Sequence, residues 1–420
     1  MKGQLATQRP GGAGGWLDRT QCITWQWFTF SMSTGGLAIL LYSIVHRFDG
    51  LDTIGTIVFI ANLVIFVALV VGVCLRFATH RGALTRSLTD PSELFFMPTV
   101  LLAVSTIITG AANYGMTKTG PWLGSTLQVI FWIHLGVCLL QSWTTYLTIF
   151  GGGHKLKIAD YTPGWILPFL PLMLLGTVAA SIVPLLTPGD ALNVAVGGLI
   201  LQGLGFILSL LEFALYLFRL SIYGLPPPAA RPTMFIAVGP PAFTSYALLR
   251  LSENASSYVT DQTLTPPVPN LAPMIELVAT LFALLIWGLA LWFFVLALAC
   301  NVAAAVRRRR LKFGIAWWSF VFPNVGWALS TNEIGKVLGS NAITWVAAVM
   351  TIMLVAVWLL LLFRFAYAVL SGAMFRIPLD DQREEERADE PRRLWHQDGQ
   401  GHGVASNGLD GQTLHGAERA

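Results

Sequence analysis

Thr53–Phe77, TIGTIVFIANLVIFVALVVGVCLRF, carries a single charge, Arg76, in 25 residues. About 20 apolar residues suffice to cross a bilayer as an α-helix, so this stretch decides the fold class. Ile343–Leu370 repeats the signal with Arg364 as its only charge. The composition agrees: 55% of the 420 residues are hydrophobic and 11% charged, against about a quarter charged in soluble domains. A chain with so little charge cannot cover a water-facing surface of that size.

Apolar runs read against helix breakers place ten spans near Thr24–Val45, Thr53–Phe77, Phe95–Tyr114, Leu123–Phe150, Trp165–Pro184, Leu192–Tyr223, Met234–Leu251, Pro273–Val306, Phe313–Ser330 and Thr344–Leu370. The expected fold is therefore an all-α polytopic membrane protein. Residues 1–23 read as a cytoplasmic tail with no cleaved signal peptide, 24–375 as the transmembrane domain, and 376–420 as a disordered charged tail beginning DDQREEERADEPRR.

The loops after even-numbered spans hold Arg81, Arg86, Lys155, Lys157, Arg231, Arg307 through Arg310 and Lys312, whereas the opposite loops hold only Arg47, Lys118 and Lys336. By the positive-inside rule both termini are expected in the cytoplasm. Basic residues spread in this way fit topology rather than a nucleic-acid surface. The one glycosylation sequon, at Asn254, falls on the outer side. Cys22, Cys74, Cys138 and Cys300 are too widely spaced to suggest a disulfide framework or a zinc site.

The odd spans differ from the even ones. Each carries a breaker: Gly35–Gly36, Pro98, Pro168 with Pro171, Gly239 with Pro240 and Pro241, and Pro323. Steps of 63, 70, 72 and 83 residues separate Gly35, Pro98, Pro168, Pro240 and Pro323, which suggests five repeated helical hairpins. The odd spans also collect hydroxyls, among them Ser33, Thr34, Ser105, Thr106, Thr109, Thr177, Ser181, Thr244 and Ser245. The even spans hold bulky stretches such as ILSLLEFALYLF. Proline frees backbone carbonyls that protein or water must satisfy. The expectation is an inner ring of five kinked odd helices around a pore, enclosed by five even helices facing lipid.

Each odd span also sets a phenylalanine near its breaker: Phe30, Phe96, Phe169, Phe243 and Phe322. Inward-facing rings would close a pore by dewetting or by steric block. Phe322, in WWSFVFPN beside Pro323, is the strongest gate candidate. Pore-lining candidates are Phe30, Ser33, Thr34, Gly35, Phe96, Pro98, Phe169, Pro171, Pro240, Pro241, Phe243, Pro323 and Asn324.

Walker A, Rossmann, HExxH and GxSxG motifs are all absent, so neither ATP-driven pumping nor catalysis is indicated and no cofactor is expected. Few charges lie well inside spans. Glu212 and Arg219 share one face of the sixth span, where a structural ion pair or a snorkelling arginine is a simpler expectation than a proton relay. With no basic side chain central in any odd span, an anion would depend on helix dipoles, hydroxyls and water.

FSMSTGGLAILL, TDPSELFFMPT, TGPWL, TPGWILPFLPLMLLGTVAAS, GLGFILSL and above all RPTMFIAVGPPAFT, between Trp25 and Leu370, resemble the tellurite-resistance/dicarboxylate transporter family. Within it the chain is most similar to the fungal malic acid transport proteins, relatives of the plant slow anion channels. The resemblance implies a homotrimer of ten-helix subunits, each with its own pore occluded by a phenylalanine at the position of Phe322. It further implies transport of malate and related C4-dicarboxylates with protons at the plasma membrane, with sulfite efflux as the alternative.

Overall fold

The computed structural model describes residues 19–116, 118–152, 156–306 and 313–375. The expected tail at 376–420, most of the N-terminal segment, and Lys155, Arg307 through Arg310 and Lys312 lie outside them. The described residues are helical and contain no strand. Ten longer helices are numbered in chain order: α1 Phe28–Ser43, α2 Leu51–Thr79, α3 Pro98–Gly115, α4 Trp122–Gly151 and α5 Leu170–Ile182. They continue with α6 Pro188–Tyr223, α7 Gly239–Glu253, α8 Leu271–Val306, α9 Phe322–Val337 and α10 Asn341–Leu370.

Eight stretches of described helix are long and apolar enough to cross a membrane, where the sequence suggests ten. The two that fall short are α1 and α9, of 16 residues each. α5 and α7 are shorter still, at 13 and 15 residues, but join 3-10 segments into apolar stretches of 23 and 26 residues. By contrast, α1 and α9 are rich in polar side chains such as Ser31, Thr34, Asn324, Asn332 and Glu333. Each is preceded by a 3-10 segment, Trp25–Trp27 and Ile315–Phe320, which lengthens the same stretch of chain.

The prolines act differently from the kinks expected of them. Pro98 opens α3, Pro171 is the second residue of α5, Pro240 and Pro241 follow Gly239 in the first turn of α7, and Pro323 is the second residue of α9. Ahead of the last three run the 3-10 segments Pro163–Phe169, Pro228–Val238 and Ile315–Phe320. In the first turn of a helix a proline gives up no internal hydrogen bond and its fixed φ suits the helix. Breakage is thus a junction from 3-10 to α at the helix start. Gly35 and Gly36 break nothing, since α1 is continuous across them. A Cβ on Gly35 would lie 2.2 Å from Thr106 Oγ1, so glycine here lets α1 approach α3.

Burial separates odd from even. Across its most apolar 18 residues Pro163–Leu185 is wholly buried and Pro228–Glu253 is 89% buried, while the corresponding windows of Leu51–Thr79 and Leu271–Val306 are 17% and 22% buried. Helix contacts run from α1 to α3, α3 to α5, α5 to α7, α7 to α9, and α9 back to α1. Each even helix touches the odd helices before and after it in the chain, with α10 touching α9 and α1. Bulky side chains on the even helices, such as Ile57, Val64, Ile133, Leu211, Leu285 and Ile352, are exposed. In a membrane protein that is the composition of a lipid-facing surface.

Candidate functional site

The wall-forming residues sit one helical turn apart. α1 supplies Gly36 and Ile39, and α3 supplies Ser105, Thr106 and Thr109. α5 adds Leu174, Thr177 and Val178, α7 adds Phe243, and α9 adds Phe322, Val325 and Leu329. Spacings of three and four place each set on one helix face. Together they enclose a cavity of ≈ 10 Å³, room for about one water molecule. A cavity of that size admits no organic anion.

Two rings close it. Phe322 stacks on Phe243 with centroids 4.9 Å apart and planes at 29°. Phe322 is 3% exposed. Glycines seat both rings: a Cβ on Gly36 would lie 3.0 Å from Phe322 Cδ2, and one on Gly326 would lie 2.7 Å from the Phe243 ring. Larger side chains there would have to displace the aromatic pair.

The opposite side of the cavity carries hydroxyls from α3 and α5. Ser105 Oγ donates to Leu101 O at 3.1 Å and lies 2.8 Å from Nε2 of His134, which reaches in from α4. His134 also has Cys138 Sγ at 3.6 Å. Thr106 donates to Ala103 O at 2.7 Å. Thr177 Oγ1 is buried with no hydrogen-bond partner among the described residues. Leaving such a group unpaired costs about 1–3 kcal/mol.

Other residues singled out in the sequence are placed elsewhere. Phe30 packs on Trp318 at 4.6 Å and Phe365 at 5.1 Å, toward α10. Phe169 stacks on Tyr146 of α4 at 4.6 Å. Phe96 is half-buried in the turn before α3. Ser33 donates to Trp318 O, and Thr34 donates to Phe30 O while accepting from Trp358 Nε1 of α10. Gly35 meets Thr106 and Asn62, so its neighbour Gly36 is the glycine at the cavity. Pro98, Pro171, Pro240, Pro241 and Pro323 start helices and are not among the lining residues. Asn324 Nδ2 donates to Phe320 O at 2.8 Å, and its Oδ1 is buried without a partner.

Glu212 and Arg219 form no ion pair. Arg219 donates to the carbonyls of Ala159 and Gly224, and Tyr161 Oη donates to the Glu212 carbonyl at 3.1 Å. Backbone carbonyls satisfy the guanidinium without a carboxylate. At the sequon, Asn254 Nδ2 donates to Arg250 O at 2.9 Å and caps the end of α7. A second, larger cleft of ≈ 950 Å³ is walled by α1, α2 and α10, among them Leu41, Ile54, Ile352 and Trp358. Its walls are largely apolar, which suits lipid rather than an anion.

The family described as SLAC1, voltage-dependent anion channel, matches residues 22–366. Two chains of Schizosaccharomyces pombe described as malic acid transport proteins are each 34% identical, over 350 and 358 residues. These matches cover 82% and 84% of this chain and 79% and 80% of theirs. A sulfite efflux pump, SSU1, of Arthroderma benhamiae is 24% identical over 358 residues, covering 83% of this chain and 92% of its own.

Proposed function

Because the chain belongs to the SLAC1 voltage-dependent anion channel family, we propose that it passes small organic anions, malate and other C4-dicarboxylates first, along the axis between its odd helices, with Phe322 as the gate. The observation that carries this reading is the meeting of all five odd helices at one small cavity, with Phe322 and Phe243 stacked across it. In the proposed architecture five helical hairpins set an inner ring of odd helices within an outer ring of even ones, and residues 24–375 form the transport domain.

The cavity wall holds no charged side chain. An anion entering it would exchange water for hydroxyls and for the partial positive charge at helix N-termini. All odd helices run in the same direction, so their N-termini gather on one side, the cytoplasmic one in the proposed topology. Stabilisation of that kind is weak, and weak binding favours rapid release and channel-like flux.

Malate stands ahead of sulfite because the fission-yeast malic acid transport proteins share 34% identity and the sulfite efflux pump 24%. Sulfite efflux is the second reading, on that more distant likeness. A homotrimer, proton coupling and a plasma-membrane location belong to the same proposal. Labelled malate uptake, measured beside sulfite tolerance in cells lacking their own carriers, tests the substrate. Malate flux is expected; restored sulfite resistance without malate flux would reverse the order.

A further inference from the structure

Thr177 differs from Ser105 and Thr106, two other hydroxyls of the cavity wall. It lies on α5, within a stretch that is wholly buried, and is itself 3% exposed. Ser105 and Thr106 already donate their protons to carbonyls of their own helix, which is how a hydroxyl in a helix is ordinarily satisfied. Ser181, one turn beyond Thr177, does the same, donating to the Thr177 carbonyl at 3.2 Å. Thr177 Oγ1 has no such partner among the described residues, yet it lines the cavity opposite the Phe322 and Phe243 rings.

We infer that Thr177 is an anion-binding residue of the constriction, its hydroxyl donating to an oxygen of a carboxylate or other oxyanion as the ion passes Phe322. The inference rests on the proposed anion pathway and deepens it. Hydrogen bonds from a neutral donor to an ionised acceptor are shorter and stronger than neutral ones, and a donor with no competing internal partner gives up nothing to make one. The aromatic wall has no O–H or N–H to offer, so discrimination among anions falls to the hydroxyl side.

Reversal potentials of purified protein in planar bilayers provide the test, with Phe322→Ala as the open parent and malate, sulfite and chloride as permeant ions. Thr177→Val keeps the shape and removes the donor; Thr177→Ser restores the donor; Thr177→Ala serves if valine disturbs folding, with gel filtration as the check. Thr177→Val is expected to lower oxyanion permeability relative to chloride by about 3- to 10-fold, with serine close to the parent. A loss for malate alone assigns the site to carboxylates, and a loss for sulfite as well assigns it to oxyanions generally. Unchanged ratios in a conducting parent would overturn the role of Thr177 and leave the pathway standing. A folded parent that passes no anion would remove the pathway, and this site with it.

Discussion

The two walls of the central cavity differ in what they can do to an ion. On one side α7 and α9 present stacked Phe243 and Phe322, with Val325 and Leu329 beyond them. On the other, α3 and α5 present Ser105, Thr106, Thr109 and Thr177, and His134 of α4 stands behind Ser105. Aromatic rings exclude water and anions alike when packed face to face, whereas hydroxyls replace hydration. The proposed gate and the proposed anion contact thereby fall on different helices, and each wall can be altered with limited effect on the other.

Phe243→Ala should give the larger effect of two phenylalanine substitutions that probe this division. Phe322 would lose its stacking partner, and anion conductance is expected to rise about threefold through a loosened gate, read as bilayer current. No change in a folded variant would confine closure to Phe322. Phe30→Ala is expected to leave conductance unaltered, because Phe30 packs between Trp318 and Phe365 away from both walls. It should instead lower the melting temperature in detergent, since truncating a packed phenylalanine leaves a void. A conductance gain from Phe30→Ala would mean that the gate extends along α1.

Much of the architecture is legible in the sequence. Apolar runs mark the helices, and the concentration of prolines and hydroxyls in alternate runs marks the buried ones, because broken backbone and polar side chains are costly against lipid. The positions of the breaks within those helices are not legible in the same way. A proline signals interruption, but only the structure shows Pro98, Pro171 and Pro323 in first turns rather than at kinks. Eight of the ten apolar runs qualify as spans among the described residues, while α1 and α9, with their many polar side chains, do not.

The site is legible at the level of helices and less so at the level of residues. Successive residues in a helix point about 100° apart, so Gly35 and Gly36 face different neighbours, and choosing between them requires the rotation of α1. The same rotation turns Thr34 toward Trp358 and leaves Ile39 in the cavity wall. A stripe at spacings of three and four marks the lining face of α1, α3, α5 and α9, as in Phe322, Val325 and Leu329, while α7 contributes Phe243 alone. Proximity to a proline selects Phe30, Phe96 and Phe169 as readily as Phe243 and Phe322, although only the last two line the cavity. Thr177 stands out only through a missing hydrogen bond, which is visible in three dimensions alone.

The current carried by purified Phe322→Ala protein in a bilayer bathed in malate, set beside that of the unaltered protein, tests the central claim most directly. Removal of the ring that seals a cavity of ≈ 10 Å³ is expected to raise anion conductance on the order of tenfold or more. An equal or lower conductance in a folded Phe322→Ala variant would contradict the assignment of Phe322 as the gate.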